Sequence, residues 1–128
     1  MEIKTHASID QSFCGTPQEL GPGFARLQMV ATPQMAADET SLVHGGFVFG
    51  MADYAAMLAV NHPNVVLGSV QISFVKPVRV GDTLEAFARV TENKGRKYLV
   101  SVEVKGGDVV VLNGLMTCFV PEKHVLAP

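Results

Sequence analysis

The chain has 128 residues, 48% of them hydrophobic and 17% charged, with a net charge of −2. That length suits a single domain over residues 1–128, with a core expected over about 24–120. The weak negative charge without a basic run argues against nucleic acid or an anionic membrane surface as the main partner, so a bound anion has to be held locally. The opening Met1-Glu2-Ile3-Lys4-Thr5-His6 lacks the apolar stretch of a signal peptide, and no run reaches the ~20 apolar residues that span a bilayer. A cytoplasmic protein without a membrane segment is expected.

Cys14-Gly15-Thr16-Pro17 and Gly21-Pro22-Gly23 read as turns, after which Phe24 to Val30 alternates as a strand and ends near Pro33. Ala36 to Ser41 is a polar loop. A helix is expected from Gly45 or Gly46 to about Asn61, closed by Pro63. From Leu67 the period changes to two: Val70, Ile72 and Phe74 share one face until Pro77, and Gly81-Asp82 turns the chain. Leu84, Ala86, Ala88 and Val90 alternate next; Asn93 to Arg96 turns; Tyr98, Val100, Val102 and Val104 alternate; Gly106-Gly107 makes another hairpin. Val109 to Val120 is apolar on both faces over much of its length, which predicts a strand covered on both sides. These elements predict an α+β domain, a mostly antiparallel sheet of about five to six strands wrapped around one central helix. Such a sheet leaves a face and an edge to be covered, which favours association.

Cys14 and Cys118 match no metal or redox spacing and read as ordinary thiols. His6, His44, His62 and His124 are scattered, so neither a metal nor a cofactor is expected. Chemistry concentrates in His44-Gly45-Gly46 and the run that ends at Asp53. Free N–H groups at a helix start suit an oxygen gaining negative charge, and Gly45 and Gly46 let a ligand approach the backbone closely. His44 stands at the cap of that helix, as cap, core histidine or catalytic group. Gly45 and Asp53 are eight residues apart, roughly 12 Å along the helix axis at 1.5 Å per residue. They cannot meet within one chain. An antiparallel second copy brings its Asp53 beside the first chain's Gly45, so the spacing points to a dimer with shared sites.

Residues near the helix start and the facing strand, Phe47, Met51, Phe74 and Met35, are candidates to line an apolar pocket. Phe49, Met51, Tyr54 and Met57 surround Asp53 in sequence, and partial desolvation raises a carboxyl pKa and makes a better base. Lys76 and Arg79, ahead of Lys94, Arg96 and Lys97, are candidates for binding phosphate.

The run Val43 to Asp53, followed by Ile72-Ser73-Phe74-Val75-Lys76-Pro77 and Gly81-Asp82, resembles the hotdog-fold acyl-CoA thioesterases, specifically the phenylacetyl-CoA thioesterase-like group. The resemblance implies hydrolysis of an acyl-CoA thioester by a homo-oligomer, a dimer or dimer of dimers. Gly45 N–H then polarises the thioester carbonyl, while Asp53 of the other subunit serves as general base or nucleophile. It also points to two helper positions where this chain departs from the pattern. The loop position six residues before His44, an Asn in the family, is Asp38, which cannot donate when ionised. The strand position of a water-orienting Ser or Thr is Leu67; Ser69 takes its place only if a bulge shifts the backbone. A dehydratase reading is disfavoured because no Asp-x-Asn-Pro-x-His run occurs. The rival reading is a non-catalytic acyl-CoA or small-ligand binding protein.

Overall fold

The computed structural model describes all 128 residues. In chain order the elements are α1 (Gln11–Cys14), β1 (Thr16–Gly21), β2 (Phe24–Val30), a 3-10 turn (Pro33–Met35), α2 (Gly45–Val60), β3 (Val66–Phe74), β4 (Thr83–Lys94), β5 (Lys97–Gly106) and β6 (Val109–Phe119). The strands form one sheet in the order β1-β2-β4-β5-β6-β3, antiparallel at every pairing.

Helix α2 is rich in good helix formers, and it starts and stops on local signals. His44 caps it, Nδ1 accepting the Gly46 N–H at 2.8 Å. Asn61 ends it in the left-handed conformation (φ 51°), its N–H donating to Met57 O at 2.8 Å. Ala52, Ala55, Ala56, Met57 and Leu58 are all buried, as expected of a helix that is apolar around its whole circumference. The concave face of the sheet covers one side of it. Inward positions alternate along each strand and line up across strands: Leu27, Ala86, Val104, Leu112 and Phe74 form one cross-strand row. Ala25, Ala86 and Ala88 keep the centre of that face shallow, and this lets the helix sit close.

The other side of α2 is covered by the N-terminal segment, for which the sequence reading has no counterpart. Phe13 stacks against Phe47 with ring centroids 5.8 Å apart, and Gln11 Nε2 donates to the Tyr54 hydroxyl at 3.2 Å.

Three expectations are corrected. The stretch after Gly15, read as turns, holds a sixth strand, β1; Pro17 is tolerated because β1 is an edge strand with a register shift at Pro17/Glu19. β6 is not covered on both faces: Leu112, Met116 and Cys118 point inward, while Leu115 and Phe119 are exposed on the outer face. α2 is accompanied by the single-turn α1. The expected strand from Leu67 is β3, the opposite sheet edge, and it is open: Val70 is 41% and Phe74 56% exposed.

Candidate active site

The start of α2 is tied down by backbone hydrogen bonds from sequence-distant loops. His44 N–H donates to Met35 O at 2.9 Å, Val43 N–H to Val78 O at 2.8 Å, and Val80 N–H to Ser41 O at 2.9 Å. With Gly46 N–H used by the His44 cap and Phe47 N–H donating to His44 O, the Gly45 N–H is left without a partner in the chain. It borders a groove of about 270 Å³ lined by Val43, Val48, Phe74, Lys76 and Pro77 among others. Phe74 lies against Gly45 so closely that an added Cβ would be 3.2 Å from the Phe74 Cε1 atom. A carbonyl oxygen entering beside Phe74 meets the positive end of the helix dipole.

Asp53, two turns further along α2, opens onto a different cavity of about 350 Å³, whose walls include Thr5, His6, Met57, Val65, Leu67 and His124. Its Oδ1 is buried with no hydrogen-bond partner. Burial alone pushes the carboxyl up to about 6, in the range where an aspartate serves as a base near neutral pH. Cys14 and Cys118 are free and buried; burial, with the charges of Asp10 and Asp53, raises the Cys14 thiol to about 11, and burial with the Asp53 charge raises the Cys118 thiol to about 12. Both stay protonated and inert at neutral pH. No helix is long and apolar enough to cross a membrane.

The structure brings together Gly45, Phe74 and Lys76 in one groove and places Asp53 in another. Phe47, expected to line the pocket, lines neither cavity: it is half-buried, its ring edge-on to His44 at 6.2 Å and stacked on Phe13 of the N-terminal segment. His44 acts as the helix cap through Nδ1. Met35 and Met51 are fully buried core residues and line neither cavity. Asp38 is taken up by its own turn, Oδ1 accepting Thr40 N–H at 2.8 Å and Thr40 Oγ1–H at 2.7 Å, and these bonds hold its carboxyl below the usual range. The Arg79 N–H donates to Asp82 Oδ2 at 2.9 Å in the turn beyond the groove.

Ser69 is corrected in an instructive way. The bulge that it requires is present, a register shift between Leu67 and Ser69. Yet that shift pairs Leu67 with the inward Cys118 and Ser69 with Thr117 on the outer face. Leu67, not Ser69, faces Asp53. Thr5, His6 and His124 are polar cavity residues that sequence reasoning missed, because no local pattern connects the chain ends to Asp53, far away along the chain.

Comparison with known proteins agrees with this architecture. Residues 41–112 match the family model described as thioesterase superfamily. An uncharacterised protein from Pyrococcus horikoshii is 47% identical with a TM-score of 0.97, covering 99% of this chain and 98% of that one. The PaaI protein from the phenylacetic acid degradation operon of E. coli is 27% identical with a TM-score of 0.74, covering 80% of each chain. A relative in Aquifex aeolicus named methylthioribose-1-phosphate isomerase is 48% identical over 120 residues, 93% of this chain but only 26% of that protein. The chain thus spans between about a quarter and two fifths of the length of this curated relative and of the FapR transcription factor that it also matches. With the family match spanning α2, β3, β4, β5 and the start of β6, and the same fold recurring at full length, the chain belongs to the thioesterase superfamily as a PaaI-like hotdog protein.

Proposed function

We propose that the protein hydrolyses an acyl-CoA thioester in a site shared between two copies, with Asp53 of one and the Gly45 N–H of the other. The observation that carries this reading is the buried, unpartnered Asp53 carboxylate on an otherwise apolar helix, two turns removed from an unpartnered N–H. A carboxyl raised to about 6 has a reason to be kept there if it takes a proton from water. A positioned base supplies ~10²–10⁴ in rate and one oxyanion donor ~10²–10³.

The open β3 edge supports the shared site. Val70 and Phe74 are exposed along it, Phe74 rests on Gly45, and a second β3 paired there satisfies the free backbone groups. Thioester carbon and oxygen then sit beside the Gly45 N–H, Asp53 of the other copy delivers hydroxide or attacks directly, and the thiolate leaves. Phe74 flanks the acyl group, Gly46 leaves the backbone open to it, and Lys76 with Arg79 meets the CoA phosphates. The proposed assembly is a homodimer or dimer of dimers, in the cytoplasm. A second reading, a binding module without turnover, is favoured by Leu67, which offers Asp53 no polar partner for a water.

Release of free thiol from short, long and aromatic acyl-CoA thioesters tests the proposal, with Asp53→Asn at matched Tm as the comparison. Turnover by the native chain and its loss in the variant support the thioesterase; acyl-CoA binding without turnover supports the binding module.

A further inference from the structure

Thr5 and His6, which the reaction above does not use, form one wall of the cavity onto which Asp53 opens. Their placement is built. Asn61, at the end of α2, accepts the Lys4 N–H on Oδ1 at 2.8 Å and donates Nδ2–H to Glu2 O at 2.8 Å, so the chain is fixed just before Thr5. His6 is then held in the left-handed conformation (φ 55°), which a non-glycine residue keeps only where its surroundings demand it. Its ring packs near Tyr54 with centroids 6.5 Å apart, and its Nδ1 lies 2.6 Å from the Thr5 Oγ1. Thr5 is 6% exposed, and its hydroxyl makes this one hydrogen bond.

With Nδ1 engaged by Thr5, the ring nitrogen left for the cavity is Nε2. Across the same space stands Asp53 with an unpartnered Oδ1, while Met57, Val65 and Leu67 contribute only apolar surface. The other titratable group on the wall is His124, from the exposed C-terminal tail, whose Nδ1 already accepts the Leu126 N–H at 3.0 Å. Burial lowers the His6 pKa, which keeps the ring neutral and able to accept a hydrogen bond at pH 7.

Resting on the thioesterase reading, we propose that His6 is a positioning residue: its Nε2 and the Asp53 carboxylate hold the two protons of one attacking water, in place of a hydroxyl on β3. We assign the tautomer with Nδ1–H donating to Thr5 Oγ1, which leaves the Nε2 lone pair free. Asp53 takes one water proton as the water oxygen bonds to the thioester carbon. The tetrahedral adduct then collapses, the C–S bond breaks, and the departing thiolate takes the proton held on Asp53. His6 keeps its protonation state throughout.

The test compares the native chain with His6→Phe, His6→Gln and Thr5→Val at matched Tm, using an acyl-CoA that the native chain hydrolyses. His6→Phe is expected to lower kcat at least tenfold with KM within twofold. His6→Gln, whose amide places a polar atom near the Nε2 position, recovers most of that loss, and Thr5→Val falls between. A native kcat in His6→Phe overturns the proposal. If the native chain has no turnover, the thioesterase reading fails instead, and a histidine NMR titration judges the His6–Asp53 pairing by itself. Asp53→Asn, by removing a facing negative charge, then shifts the His6 pKa down by at least half a unit; an unmoved His6 resonance overturns the pairing.

Discussion

Gly45 and Asp53 lie two turns apart on the same helix, α2, yet open onto different cavities, Gly45 beside Phe74 and Lys76, Asp53 beside His6 and Leu67. Each half of the proposed site is therefore complete only against a second copy. Gly45→Pro removes the donor at the first helical position, where proline fits, and Gly45→Ala keeps it. We expect Gly45→Pro to lose ~10²–10³ in kcat and Gly45→Ala to lose less, the Phe74 ring yielding to the new methyl. Mixing inactive Gly45→Pro and Asp53→Asn chains by co-refolding should restore about a quarter of native activity, since half of randomly paired dimers carry one intact site of two. A mixture as inactive as its components rules out the cross-subunit arrangement.

Asp53 links activity to stability. Burial raises its folded pKa to about 6 from the ordinary 3.8, so the fold favours the protonated form. Stability from this group is full below about 3.8 and lost as pH rises through about 6. Asp53→Asn should therefore melt close to the native protein at pH 4 and be more stable at pH 8, by on the order of 2 kcal/mol. Native kcat/KM should rise with pH to a plateau above about 6. Thermal melts at the two pH values and a pH–rate profile check both halves.

Lys76 borders the Gly45 groove, whereas the Arg79 backbone is engaged in the following turn. Lys76→Ala should raise KM for an acyl-CoA several-fold and flatten its dependence on ionic strength, with a smaller effect for Arg79→Ala. KM measured across a salt series distinguishes this from an ordinary surface charge, whose removal leaves both unchanged.

Gly114 sits opposite Ile72 where β6 pairs with β3, and a Cβ there would run into the Gln71 carbonyl and the Ile72 backbone. Because these are backbone atoms, they cannot swing aside. Gly114→Ala should cost about 3 kcal/mol and loosen the β3 edge, lowering both Tm and the tendency to dimerise. Chemical denaturation and sedimentation report the two effects separately.

Much of the fold was legible because it is written in short periods. The limits of α2 follow from Gly45 and from Asn61 before Pro63; β2, β4 and β5 follow from alternation of residues such as Ala86, Ala88, Val102 and Val104. β1 was not legible: Pro17 and Gly21 interrupt any alternation, and the strand exists because β2 offers it an edge. The two-sided burial expected of β6 failed for a related reason. An apolar outer face at Leu115 and Phe119 has the composition of a buried surface without a layer in this chain to cover it.

The sequence by itself determined the chemistry of one helix: an N–H start at Gly45 and a carboxylate at Asp53, at a spacing that the rigid α-helical rise makes too long for one chain to close. Only the tertiary structure decided what surrounds those groups. A bulge changes strand parity, so Leu67 rather than Ser69 turns toward Asp53. Asn61 hydrogen bonds and burial against Tyr54 carry Thr5 and His6 across the helix to the same cavity. Such placements depend on contacts between residues about fifty positions apart, whose energies come from burial and hydrogen bonding in the folded chain and leave no periodic trace along it.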